Sequence, residues 1–170
     1  MMDFPHNTTN EALFQVLILV TVAIAFTTDL HQRRIFNALT FPAMVLGLTV
    51  HTLHDGPGGL VWSIAGLLLG AALFCVPVTM GGRGAGDLKL LAALGALGGP
   101  AFVFWCALYT SIAGGVFAVI ALLVSRRLVS VICGMVQEAG VHRVPRTTSN
   151  LRIPYAVPIA VGAVVTLAVR

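Results

Sequence analysis

Asp29 and Asp87 are the two side chains in this 170-residue chain whose type and placement suggest chemistry. Asp29 closes the first long apolar run, in Phe26-Thr27-Thr28-Asp29-Leu30-His31. Asp87 lies in Gly84-Ala85-Gly86-Asp87-Leu88-Lys89, directly before another apolar run. Acidic residues number only six, and these two stand at membrane boundaries. A carboxylate at the centre of a bilayer costs ~3 kcal/mol on insertion scales and less near the interface, so a retained one usually has a function. Two close carboxylates cannot both ionise easily, and they share a proton. One can then take a proton from water while the other donates to a peptide carbonyl oxygen, which hydrolyses an amide without a covalent intermediate. Gly84 and Gly86 would let backbone and an extended substrate pass close to the aspartate. The same charges also fit a structural role, as interfacial carboxylates neutralised by Arg33, Arg34 or Lys89.

The elements that must carry these residues are apolar helices. Hydrophobic residues make up 58% of the chain and charged residues 9%, where a soluble domain carries about 25% charged. Composition therefore indicates an all-α, polytopic transmembrane bundle forming a single domain over residues 1–170. Apolar runs fall at about 12–28, 38–53, 60–80, 88–98, 101–125 and 153–169, which predicts about six helices. Gly98-Gly99-Pro100 divides the stretch 88–125. That division leaves a short fourth helix of about 18 Å, beginning at Asp87 and flanked by protein or water. No Lys or Arg precedes the first run, which is therefore expected to be a retained span rather than a secretory signal.

Nine of the ten basic residues fall in alternate loops: Arg33 and Arg34; Arg83 and Lys89; Arg126, Arg127, Arg143, Arg146 and Arg152. The positive-inside rule puts these loops in the cytoplasm, both termini outside, and both aspartates near the cytoplasmic face. Loop 54–59 and the Gly98 turn then face the other side. The net charge of +4 is explained by this orientation, and no nucleic-acid module accompanies it. Segment 126–139 has apolar residues at helical spacing after Arg126-Arg127, which fits an amphipathic surface helix or a continuation of the fifth span. Gly66-x-x-x-Gly70 and Gly95-x-x-x-Gly99 signal close helix packing.

Other chemistries fit poorly. Cys75, Cys106 and Cys133 are isolated and read as small buried hydrophobes. No HExxH motif occurs. Ser63 and Ser111 lie in apolar runs without the histidine that an intramembrane Ser–His dyad requires. His51 and His54 sit one turn apart beside Asp55, but as solvated loop histidines rather than metal ligands. No metal or organic cofactor is expected.

Three ordered motifs add to this reading. The first is Asp29-Leu-His-Gln-Arg-Arg-Ile35-Phe36-Asn37 and the second is Gly84-Ala-Gly86-Asp87-Leu-Lys89-Leu90. The third is Ile153-Pro154-Tyr155-Ala156-Val-Pro-Ile-Ala160 in the last span. With these, the chain resembles the type IV prepilin peptidases, a family of GxGD intramembrane aspartic proteases, over nearly its whole length. The resemblance implies that Asp29 and Asp87 are the catalytic pair. It also implies cleavage of a short basic leader from prepilins and pilin-like proteins at the cytoplasmic face of the bacterial inner membrane. Lys89 and Asn37 match the motifs as supporting residues, with Lys89 expected to anchor its helix end at the interface or to tune Asp87. The family's proline after isoleucine is Phe36 here, which alters a turn and removes no catalytic group. Larger members carry a cytoplasmic segment with paired CxxC motifs and N-methylate the new pilin terminus. This chain has no CxxC pair, resembles the short tight-adherence (Flp) form, and is not expected to methylate. Two other classes share some of these features. A proton-coupled carrier would also keep intramembrane carboxylates, although no repeat symmetry is visible. A non-catalytic pilus or secretion assembly factor would tolerate loss of either aspartate.

Overall fold

The computed structural model describes residues 8–32, 36–79, 85–124 and 156–169. Four helices account for them: α1 (Thr8–Gln32), α2 (Asn37–Thr79), α3 (Ala85–Val124) and α4 (Ala156–Ala168). No strand occurs among the described residues. Arg33, Arg34, Arg83, Gly84, Cys133, the segment 126–139 and the tripeptide Ile153-Pro154-Tyr155 lie outside them.

The count of four, against the expected six or so, arises at two glycines. Gly56 (φ 62, ψ −146) and Gly99 (φ 79, ψ 177) are non-helical points inside α2 and α3. Only a glycine adopts such positive φ without strain. Both lie where the apolar runs end, in loop 54–59 and in Gly98-Gly99-Pro100, and single residues serve there instead of separate loops. At Gly56 the chain turns back on itself: a Cβ on Gly59 would strike the carbonyl of His51. In a straight helix those residues stand about 12 Å apart along the axis.

The two arms of α2 then flank the first part of α3. Gly47 packs against the backbone of Ala96, Gly66 against Gly95 and Gly70 against Leu91. Residues 90–99 are buried on every side, including Leu90, Leu91, Leu94 and Leu97. A helix that is apolar all round belongs inside a protein, and at ~1.5 Å per residue residues 85–98 span only about 21 Å. Ile18, Val22 and Ala25 of α1 and Ile159 and Ala163 of α4 complete the core around it. Large apolar side chains point outward elsewhere, among them Leu19, Val45, Leu68, Phe104, Ile112 and Val116. Three helices are long and apolar enough to cross a membrane, and α4 is a shorter apolar helix.

The break at Gly99 creates two buried acceptors that need donors. Pro100 has no amide hydrogen to return to Ala96, and the interrupted ladder frees the carbonyl of Leu97. Ser63 Oγ donates to Ala96 O at 2.7 Å, and His51 Nε2 donates to Leu97 O at 3.0 Å. His51 is therefore a buried structural residue of α2, stacked on Phe14 with ring centroids 4.2 Å apart, and not a solvated loop histidine. His54 is exposed as expected. A histidine does lie in an apolar run beside Ser63, yet each side chain is committed to a different carbonyl, so no Ser–His dyad forms. Ser111 bonds back to Ala107 O within its own helix.

Candidate functional site

Asp29 occupies the last turn of α1 and Asp87 the first turn of α3. An acidic residue in a first turn suits the orphan amides there, which helps α3 start at this point. Both aspartates are buried, at 8% and 9% exposure, yet neither is sealed. Their carboxylates lie within Coulombic reach of one another although 58 residues separate them in sequence. Asp29 Oδ2 also accepts a hydrogen bond of 3.1 Å from the backbone amide of Ala156, the first residue of α4.

A second tie lies at the same end of the bundle. Lys89 Nζ donates to Asn37 Oδ1 at 2.9 Å and stands 5.9 Å from the Phe41 ring centroid, within cation–π range. Asn37 opens α2, whose first turn is formed by amides of Leu39 and Thr40 on the Phe36 carbonyl. Phe36 thus takes over the start of α2 without a proline. Lys89, expected to anchor its helix end at the interface or to tune Asp87, joins the start of α3 to the start of α2. Replacing Lys89 by Met should cost about 1 kcal/mol of stability, the usual net worth of one hydrogen bond. Thermal unfolding of the two proteins in the same detergent would check this, and identical midpoints would show that the tie contributes nothing.

Asp29, Asp87, Lys89 and Asn37 therefore gather at one end, with Gly86 in the same first turn as Asp87. His51, Ser63, Trp62 and the Gly99 break gather at the other. Gly84 lies outside the described residues. Among the described residues, no group of three or more His, Cys, Asp or Glu could hold a metal ion.

Two buried carboxylates from different helices thus stand within Coulombic reach of one another at one end of an apolar bundle, an arrangement that can exchange protons with a bound water or peptide. A family model for the type IV leader peptidases matches residues 16–119, more than half of the chain. The chain belongs to the type IV leader peptidase family. No curated protein and no solved structure matches it significantly. Membership of this leader peptidase family makes the chain a protease at family level, and the matched region carries both aspartates. It ends before α4, so the Ala156 amide on Asp29 comes from outside the matched region.

Sequence reasoning found both carboxylates but missed that amide. A backbone N–H has no residue identity, and the only signal was the third motif just before α4. It also missed His51 and Ser63 as carbonyl caps. The signal there was Pro100, because a proline inside a buried helix leaves a carbonyl that some facing side chain must satisfy.

Proposed function

We propose that this protein is an intramembrane aspartic endopeptidase that removes the leader of type IV prepilins and pilin-like proteins. The single observation that carries this reading is the buried, mutually interacting pair Asp29 and Asp87 within the matched leader-peptidase region. One carboxylate takes a proton from water as it attacks the scissile carbonyl, and the other donates to the carbonyl oxygen. Proton return to the leaving nitrogen breaks the C–N bond, and the pair is reset without a covalent intermediate. Gly84 and Gly86 carry no side chain to obstruct an extended peptide next to Asp87 in the sequence, and the Lys89–Asn37 tie keeps the starts of α2 and α3 in register.

The whole of 1–170 works as one transmembrane domain in the bacterial inner membrane. Both termini lie outside and the aspartates near the cytoplasmic face, on the distribution of nine of ten basic residues. A prepilin would dock its apolar stem laterally against the outward apolar faces and present its leader at the aspartate end. The chemistry needs no metal or organic cofactor, and the chain has no CxxC pair of the kind found in the methylating members.

Co-expression with a Flp-type prepilin, in cells lacking their own leader peptidase, tests the reading. A shift of the prepilin band to the size of the mature pilin is expected. An unshifted band, with both proteins present in the membrane, would count against a leader peptidase of this specificity.

A further inference from the structure

Asp29 sits at an unfavourable place on its own helix. The last turn of α1 presents orphan carbonyls and the negative end of the helix dipole, which disfavour a carboxylate. The first turn of α4 has the opposite character, and the Ala156 amide reaches Asp29 Oδ2 at 3.1 Å across 127 residues of sequence. The contact is buried, with Asp29 8% and Ala156 2% exposed, so water has little room to replace the donor. The bond occupies Oδ2 and leaves Oδ1 for the partner carboxylate or water.

We propose that the first amide of α4 is a positioning group of the active site. It fixes the Asp29 carboxylate toward Asp87, so the matched region 16–119 is incomplete as a catalytic unit without α4. The proposal rests on the peptidase reading of Asp29 and Asp87.

Proline is well accepted at the first position of a helix, so Ala156→Pro removes the N–H while sparing the helix start. Replacing Ala156 by lactic acid swaps the amide for an ester and removes the same hydrogen with almost no change of shape. Ala156→Gly keeps the amide and serves as the conservative control. All three would be assayed as full chains in proteoliposomes with a purified type IV prepilin, alongside wild type. In parallel, the amide resonance of [15N]Ala156 would be recorded in wild type and in Asp29→Ala.

Removal of a hydrogen bond to a charged group predicts a kcat about 10- to 100-fold lower for the proline and ester forms, with KM unchanged. Ala156→Gly, which keeps the amide, should lose far less kcat than the ester form, and the Ala156 amide proton should move upfield in Asp29→Ala. The ester form isolates the missing hydrogen should the proline form fold poorly. An ester form with the wild-type kcat, or an Ala156 resonance indifferent to Asp29→Ala, overturns the proposal and leaves the peptidase reading standing. A wild-type protein that cleaves no prepilin overturns both.

Discussion

Asp29→Asn and Asp87→Asn should each lower kcat for leader removal by at least about a thousandfold. Positioned acid/base groups contribute about 10²- to 10⁴-fold, and here one pair supplies both the acid and the base. The double variant should be no worse than either single one, because groups that act as a unit are not additive. Asparagine keeps the size of the side chain and can still accept from the Ala156 amide, so folding should survive. Membrane levels and thermal unfolding would confirm that. The wild-type profile of kcat/KM against pH should be bell-shaped, with limbs belonging to the pair rather than to either residue. An idle assembly factor would be indifferent to both substitutions, and a carrier would show proton-coupled uptake instead of cleavage. Additive losses of the two single variants would indicate two independent carboxylates rather than a dyad.

The second large effect concerns folding. A Cβ on Gly66 would run into the carbonyl oxygen of Gly95, and one on Gly95 into that of Gly66. The obstruction on each side is backbone, which cannot rotate away as a flexible side chain would. Gly66→Leu should therefore cost ~3 kcal/mol or more, at the upper end of overpacking, and deplete the protein from the membrane. Gly58 has nothing within 4 Å of its Cβ position, so Gly58→Ala is the matched control and should be neutral or slightly stabilising. Thermal unfolding in detergent would separate the two. A Gly66→Leu protein with the wild-type midpoint would show that the second arm of α2 does not pack on α3 in this register. Because α3 carries Asp87, loosening this contact should also reduce cleavage in any protein that remains.

These effects indicate which parts of the molecule could be read directly. Apolar runs gave the helical segments because lipid-length helices need long uninterrupted apolar stretches, and Gly56 and Gly99 lie where those runs end. The pairing of Gly66 with Gly95 was visible as two small-residue spacings, though not which one met which. Asp29 and Asp87 were legible as a pair because alternate loops carry the basic residues, which puts both at one end. His51 was misread because Asp55-Gly56-Pro57-Gly58-Gly59 beside it has loop composition, and its burial comes from Phe14 and Leu97, far away in sequence. Gly56 and Gly99 divide α2 and α3 where composition suggests loops, because a single glycine can turn a chain. The amide on Asp29 has no side-chain signature of its own, since any residue but proline could supply it.

Leader removal by the purified protein is the most direct measurement. Wild type, Asp29→Asn and Asp87→Asn would be reconstituted at equal amounts in liposomes with a type IV prepilin, and the products identified by N-terminal sequencing. Wild type should release one new pilin terminus at the end of the basic leader, and neither variant should release it. Release of the same terminus by either variant at the wild-type rate would contradict the dyad.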